Sequence, residues 1–219
     1  MIAGPGLKFI LAGALITVLL ALWAAGKDSP GLLTAAAILA LLTLFLTYFY
    51  RNPPRTIPND EALILSVADG RVLSVQNIEN DYIGGKGIKI SIFLSVFNVH
   101  INRIPISGRV DYVTYNPGKF FAAFEDKAST ENEQTEIGLV YKSGKMIFKQ
   151  IAGVLARRIV CHLTKDQSVQ AGAVFGMIHF GSRAELFLPD NIEVMVKPGD
   201  RVKAGETAIG RLRTPDTSR

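Results

Sequence analysis

Apolar residues are concentrated in the first 50 positions of this chain. Residues 7 to 25 are apolar apart from Lys8 and Thr17, and residues 31 to 50 carry no charge. Each run is close to the roughly 20 residues that a helix needs to cross a bilayer core. Residues 26 to 30 between them form a short polar link with turn-forming residues. The pattern predicts an antiparallel hairpin of two transmembrane helices.

A proline-rich segment follows the second run and marks the end of the predicted anchor. Three prolines stand between Asn52 and Asn59, and proline cannot continue a helix. We therefore divide the chain into a membrane anchor with its exit linker, 1–58, and a second domain, 59–219. Positive charges flank the outer ends of the hairpin, whereas the link is near neutral, and this bias predicts that the second domain lies on the cytoplasmic side of the cell membrane. The charges are Lys8, Arg51 and Arg55.

From residue 60 onward, short apolar runs alternate with turns that contain Gly or Pro. This pattern is typical of β-strands and shows little helical periodicity. Residues 151 to 159 fit either a strand or a short helix. The sequence predicts a mainly β chain, an antiparallel β-sandwich or flattened barrel, with strands at 62–67, 70–78, 87–94, 108–114, 137–141, 145–151, 173–180 and 191–196.

Two weak internal repeats support this architecture. The Gly-Arg-Val sequence at 70–72 returns at 108–110, and the Val-x-Ala-Gly sequence at 169–172 returns at 202–205. The second pair resembles the turns of lipoyl- and biotinyl-type hammerhead modules, in which quasi-symmetric halves interlock. No lysine stands at a hairpin tip to carry a prosthetic group, so the likeness predicts a hammerhead fold in the C-terminal part without the carrier function.

Composition narrows the choice of partners. The net charge is +5, but the Lys and Arg residues are scattered and form no basic stripe interleaved with aromatic residues, so we expect no nucleic-acid binding. An anionic membrane surface is a simpler partner for an anchored basic chain. The single cysteine, Cys161, excludes an intrachain disulfide and a multi-cysteine zinc site, and no metal is expected. Its apolar neighbours predict a buried thiol.

A Gly-Ser pair lies between two apolar runs near the C-terminus. Gly181 leaves its carbonyl carbon unshielded, and a turn with an unusual backbone conformation would bring the Ser182 hydroxyl close to that carbon. This is the geometry of an N-to-O acyl shift, in which Ser182 Oγ attacks the Gly181 carbonyl and converts the peptide bond to an ester. The alternative is an ordinary turn between two strands.

Three other polar features interrupt apolar segments. Asp69 precedes a Gly turn between two predicted strands, His100 lies within an apolar segment, and residues 129–134 are polar. Each also has a structural interpretation: Asp69 as a turn former, His100 as a core histidine, and 129–134 as a solvated loop.

Taken together and in this order, these segments resemble the phosphatidylserine decarboxylase family in its short form. The resemblance rests on Tyr-Arg-Asn-Pro-Pro-Arg at 50–55, Ala-Asp-Gly at 68–70, Asn-Val-His-Ile-Asn-Arg-Ile-Pro at 98–105 and Phe-Gly-Ser-Arg at 180–183. It covers nearly the whole chain, although each motif alone is weak.

The resemblance implies an enzyme that cleaves itself between Gly181 and Ser182 into chains 1–181 and 182–219, which stay paired. Decarboxylation of an amino acid needs an electron sink that side chains do not supply. A pyruvoyl group made from Ser182 would supply it through a Schiff base with the substrate amine. The implied reaction converts phosphatidylserine to phosphatidylethanolamine and CO₂, or archaetidylserine to archaetidylethanolamine. A homo-oligomer of the processed pair is left open.

The chemistry of their side chains suggests roles for four further residues in the reaction that the resemblance implies. His100, oriented by Asp69, is the candidate base for cleavage and the acid that reprotonates the substrate carbon. Longer family members have a second histidine where this chain has Arg103, so Asp69 and His179 remain alternative bases. Arg183 and Arg103 are candidates to bind the substrate carboxylate or phosphate, since a guanidinium matches either group.

Two competing functions predict an intact chain. One is a membrane-tethered hammerhead adaptor that is not an enzyme and needs neither Asp69 nor His100. The other is a serine hydrolase, which fits less well because Phe-Gly-Ser-Arg lacks the strand-turn-helix context of a nucleophile elbow.

Overall fold

The computed structural model describes residues 1–125, 127–154 and 158–213. The chain forms two compact units, Met1–Pro54 and Arg55–Arg219. The division falls four residues before the predicted boundary at 58. Arg55 is the physical reason, because its side chain forms an ion pair with Asp69 of the β domain.

The first unit contains the two predicted helices, α1 Gly4–Gly26 and α2 Pro30–Phe49, and both are long and apolar enough to cross a membrane. A proline in the first turn begins each helix. The helices approach closely at small residues, since a side chain on Gly6 would overlap Tyr50 and one on Gly13 would lie 2.6 Å from Thr43 Oγ1. Such contacts are typical of helices packed in lipid.

The second unit is mainly β, as predicted. Its short helix α3 is Ala128–Glu131. The strands in the described part of the chain are β1 Leu63–Leu65, β2 Gly70–Asn80, β3 Gly85–Leu94, β4 Ile101–Arg103, β5 Gly108–Asn116, β6 Gln134–Tyr141, β7 Gly144–Ile151, β8 Ile159–Cys161, β9 Ser168–Val169, β10 Val174–Ile178, β11 Ser182–Pro189, β12 Ile192–Val194, β13 Arg201–Val202 and β14 Ala208–Leu212.

The largest antiparallel sheet has the strand order β13-β2-β3-β11-β7-β6-β5-β9 in the described residues. Two small sheets, β1-β14-β12 and β4-β10-β8, accompany it. Alternate residues of β11 face the apolar core, which includes Ala184, Leu186 and Leu188. Phe148 of β7 and Ile92 of β3 belong to the same core.

The internal repeats occupy equivalent places at the two edges of the large sheet. Gly70 pairs with Val202 of β13, and Gly108 pairs with Val169 of β9. The two Val-x-Ala-Gly turns end at glycines with positive φ, +77° at Gly172 and +73° at Gly205. A side chain on Gly205 would lie 3.5 Å from the Gly172 Cα. The turns therefore meet, which fits the predicted interlocking of two quasi-symmetric halves.

The predicted and observed strands differ most around polar residues. Residues 129–134 are not a solvated loop: they form the end of α3 and the start of β6, and Glu133 and Gln134 are buried. Residues 151–159 end one strand and begin another, and 155–157 lie outside the described residues. Cys161 is half-buried, and burial raises the pKa of its thiol.

Candidate active site

One end of the large sheet gathers the segments that the sequence singled out. Across the sheet, Arg71 of β2 pairs with Phe93 of β3, Phe93 with Arg183 of β11, and Arg183 with Ile151 of β7. Two residues beyond Arg71, Phe93, Arg183 and Ile151, the same antiparallel registers bring four positions side by side. These positions are Asp69, Ser95, Gly181 and Gly153. The sheet therefore brings Asp69 and the Gly-Ser pair to the same end, although 112 positions separate Asp69 from Gly181 in the sequence.

The Gly-Ser pair follows a strained turn. Phe180 has φ +41° and Gly181 has φ +58°, both in the left-handed region that residues other than glycine rarely adopt. Ser182 then begins β11 on the face that carries Ala184 and Leu186, and it is fully buried. Its hydroxyl has no hydrogen-bond partner within the described residues. A buried hydroxyl without a partner does not stabilise the turn, so the position of Ser182 needs another explanation.

His100 is fully buried beside the end of β10. Its backbone carbonyl accepts a hydrogen bond from the Ile178 N–H at 3.2 Å, four residues before Ser182. Its Nδ1 lies 3.0 Å from the Asn98 carbonyl oxygen. Because a carbonyl oxygen can only accept, Nδ1 of the neutral ring carries the proton and Nε2 presents its lone pair. This tautomer is the one that a general base requires.

Asp69 is held by a different partner from the one expected. Its two oxygens accept hydrogen bonds from Arg55 Nη2 at 2.9 and 2.8 Å, and Oδ1 also accepts one from the Ala204 N–H at 2.9 Å. Glu206 lies 3.4 Å from Arg55 Nη1. The described side chains make no direct hydrogen bond between Asp69 and His100, so the expected contact between them is absent from this part of the chain.

Arg183 and Glu185 form a buried ion pair on the face of β11 opposite Ser182. Arg183 Nε lies 2.8 Å from Glu185 Oε1, although the N–H is not directed at that oxygen, so the contact is an ion pair rather than an aligned hydrogen bond. Arg183 Nη2 donates to Ser91 at 2.8 Å, and Ser129 of α3 donates to Glu185 at 2.9 Å. The Arg183 guanidinium is therefore committed inside the protein, contrary to the expectation that it faces the substrate.

Removal of Glu185 tests the stabilising role of this ion pair. Glu185→Ala would leave Arg183 buried without its counter-ion, and we expect the free energy of unfolding to fall by about 3–5 kcal/mol. Denaturant unfolding followed by circular dichroism, in a Ser182→Ala background that excludes cleavage, measures this change. The matched control is Arg109→Ala, which removes the partner of Asp166 from an exposed pair and should cost at most about 1 kcal/mol. Equal losses in the two variants would contradict this account.

The other candidates lie in the same region. Arg103 Nη1 donates to the Gly172 carbonyl at 2.9 Å, and burial together with the nearby Arg55 lowers the pKa of its guanidinium. His179 is buried, and burial with the nearby Arg158 lowers its pKa to about 4. At pH 7 the His179 ring is therefore neutral and is only a weak base.

Sequence reasoning missed three residues that shape the site. Arg55 looked like a membrane-flanking charge, but it is buried against Asp69. Glu185 stood unnoticed in an apolar strand. Asn132 bonds three backbone groups, the Phe121 N–H and the carbonyls of Phe121 and Ala152, at 2.7 to 2.8 Å. For Glu185 the available signal was a charge within an apolar run, since such a residue requires a partner when buried.

Comparison with known proteins gives a consistent result. Residues 42–210 match the family model described as phosphatidylserine decarboxylase. The chain is 47% identical over 212 residues to a phosphatidylserine decarboxylase proenzyme of Pelobacter propionicus, with 96% of each chain covered. It is 45% identical over 218 residues to the protein of the same name in Symbiobacterium thermophilum, with 97% of this chain and 96% of the relative covered.

The fold, the site and these relatives together define a membrane-associated, β-rich enzyme of lipid metabolism. The chain belongs to the phosphatidylserine decarboxylase family. It is accordingly a carboxy-lyase of phospholipid biosynthesis.

Proposed function

We propose that this protein is a self-processing proenzyme that decarboxylates phosphatidylserine to phosphatidylethanolamine and CO₂. The observation that carries the proposal is the strained turn at Phe180 and Gly181, followed by the buried, unpartnered hydroxyl of Ser182. The names of the relatives, which include the word proenzyme, support it.

Self-processing proceeds on the chain's own atoms. Ser182 Oγ attacks the Gly181 carbonyl carbon, the C–N bond breaks, and an ester forms with a free amine on residue 182. Removal of the Ser182 α-proton then expels the Gly181 carboxylate and leaves dehydroalanine. Its imine tautomer takes up one water and releases ammonia. The products are chain 1–181 and chain 182–219 with a pyruvoyl N-terminus, paired through the strand contacts of β11 with β3 and β7.

His100 is the proposed base for the first step, because the contact of its Nδ1 with the Asn98 carbonyl favours the tautomer in which Nε2 is the proton acceptor. The left-handed backbone before Ser182 favours the step further, since breaking the peptide bond relieves its strain. Asp69 remains a proposed catalytic carboxylate. The ion pair with Arg55 keeps it in place.

In turnover, the pyruvoyl carbonyl derived from Ser182 supplies the electrophile that accepts electrons from the substrate. His100 is the proposed acid that returns a proton to the substrate carbon. Arg103 remains the proposed ligand for a substrate anion, because its side chain is only partly buried, whereas Arg183 is committed to Glu185.

The membrane hairpin suits a lipid substrate whose head group stays at the bilayer surface. We propose that the β domain lies on the cytoplasmic side, supported by Lys8 and Arg51 against the near-neutral link. Arg55 no longer supports this orientation, because its charge is neutralised by Asp69.

The substrate proposal is tested with full-length processed protein in lipid vesicles. We expect ¹³CO₂ from diacyl phosphatidylserine that carries ¹³C in the serine carboxylate, and none above background from soluble O-phosphoserine. The diether analogue, archaetidylserine, is assayed beside it to define the lipid backbone. Fully processed protein that releases no CO₂ from phosphatidylserine would contradict the proposal.

A further inference from the structure

Gly153 faces the carbonyl group of the peptide bond that self-processing would break. The register between β11 and β7 pairs Arg183 with Ile151. Two residues further, beyond the end of β7, the same register places Gly153 opposite Gly181. Gly153 is buried and belongs to neither strand.

The space beside Gly153 is filled by the Gly181 carbonyl oxygen. A Cβ on Gly153 would overlap that oxygen and would also lie 3.5 Å from the Ala123 Cβ. The oxygen therefore packs against a Cα hydrogen of Gly153, the kind of weak C–H···O contact that recurs between adjacent strands. Any other L-residue at 153 would push the Gly181 carbonyl away.

The backbone of Gly153 also offers a hydrogen-bond donor. The Ala152 N–H donates to the Glu133 carbonyl at 2.9 Å, on the β6 side. Continuing the alternation of an extended chain from Ala152 places the Gly153 N–H on the β11 side. Among the described residues it donates to no acceptor. A buried N–H without a partner is rare in folded proteins and requires an explanation.

Asn132 fixes the position of this segment. Its side-chain amide donates to the carbonyl of Ala152 and to that of Phe121, both at 2.8 Å. Asn132 itself is buried. Ala152, the residue before Gly153, is thus fixed by hydrogen bonds at both its N–H and its carbonyl group.

We propose that Gly153 forms the oxyanion site for self-processing: its missing side chain admits the Gly181 carbonyl oxygen, and its N–H stabilises the negative charge on that oxygen. The inference rests on the proposed self-cleavage. When Ser182 Oγ adds to the Gly181 carbon, the π electrons move to the oxygen and the base takes the hydroxyl proton. As the C–N bond breaks, the charge returns to re-form the carbonyl, and the protonated base gives its proton to the leaving nitrogen. Preorganised backbone N–H groups are common donors for such an oxyanion.

The test is Gly153→Ala in the full-length chain, with cleavage followed by gel and mass spectrometry. We expect cleavage to slow at least about 100-fold, because the added Cβ would displace the carbonyl oxygen from the N–H and the effect would equal the loss of an oxyanion donor. The matched control is Gly87→Ala. Its Cβ would overlap the Leu188 carbonyl oxygen at the other end of β11, so it imposes a similar steric cost away from Ser182. We expect this control to cleave at the wild-type rate.

Hydroxylamine, which splits esters, distinguishes a block of the acyl shift from a block of the later elimination. An uncleaved Gly153→Ala chain that hydroxylamine leaves intact supports the inference, because the acyl shift itself is blocked. Wild-type cleavage of the variant, or an accumulated ester, would overturn it. If the wild-type chain itself is not cleaved, the proposed function fails rather than this inference.

A second measurement does not depend on whether Gly153→Ala folds. Ser182→Ala protein with ¹³C-carbonyl glycine and ¹⁵N-alanine has three labelled Gly-Ala amides, at 13–14, 172–173 and 181–182, whereas the wild type has the first two. We expect the ¹³C shift of the additional carbonyl, that of Gly181, to be upfield of strand carbonyls, as in a carbonyl without a hydrogen bond. A shift typical of a regular strand pair would overturn the inference.

Discussion

Replacing Ser182 by alanine is expected to leave one uncleaved chain with no decarboxylase activity. The variant lacks the oxygen that attacks the Gly181 carbonyl, so neither the ester nor the pyruvoyl group can form. It should fold at least as well as the wild type, because the Ser182 hydroxyl is buried without a partner within the described residues and its removal leaves no polar group unsatisfied. Gel electrophoresis and ¹³CO₂ release measure the two effects.

Ser168→Ala is the matched control for this variant. Ser168 begins β9 and is exposed, so its loss should change neither cleavage nor activity. Decarboxylation by folded Ser182→Ala protein above the background of the assay would contradict the pyruvoyl mechanism. An inactive chain that had nevertheless been cut at this position would contradict the proposed role of the hydroxyl in cleavage.

Replacing His100 by alanine is expected to lower self-processing, turnover or both. A positioned general acid or base contributes about 10²–10⁴-fold to a rate. Both rates are measured on one preparation: the fraction cleaved, and the CO₂ released per cleaved chain. Slow cleavage assigns His100 to the acyl shift, whereas normal cleavage with low activity assigns it to protonation of the substrate carbon.

His162→Ala is the control for this experiment, because His162 is an exposed histidine that directly follows β8. It should leave both rates unchanged. If His100→Ala also cleaves and turns over at wild-type rates, His100 has neither role. His179 would then be a poor replacement, because its lowered pKa, about 4, makes it a weak base.

Much of the fold follows from local sequence patterns. Apolar runs predicted both helices and the strands β2, β3, β5 and β7 to within a few residues, because each pattern reports which face of an element is buried. The repeated Val-x-Ala-Gly turns also predicted equivalent positions, which the glycines Gly172 and Gly205 occupy with positive φ. These features depend on a few neighbouring residues and can be read locally.

Buried polar residues were the main source of error. Glu133, Gln134 and Glu185 were predicted to be solvated or went unnoticed, yet all three are buried. Their burial depends on partners that are distant in sequence: Ser91, for example, donates to Glu185 across 94 positions. Local polarity cannot reveal such a partner, so the prediction defaults to solvent.

The sequence identified the residues of the site better than it predicted the contacts between them. The order of motifs identified Asp69, His100 and Ser182, and the sheet brings the segments of Asp69 and Ser182 to one end. The expected Asp69–His100 hydrogen bond is replaced by the Asp69–Arg55 ion pair. The sequence did not indicate a role for Gly153, which lies in the segment that fits either a strand or a helix. Its position opposite Gly181 exists only in the folded sheet.

Intact-mass spectrometry of the purified wild-type protein tests the central claim most directly. The account predicts two chains, 1–181 and 182–219, whose masses show that a pyruvoyl group has replaced the serine N-terminus of the shorter chain, with loss of ammonia. That N-terminus should also resist Edman degradation. A single folded chain near 23.8 kDa, or a short chain that begins with an unmodified serine, would contradict the account.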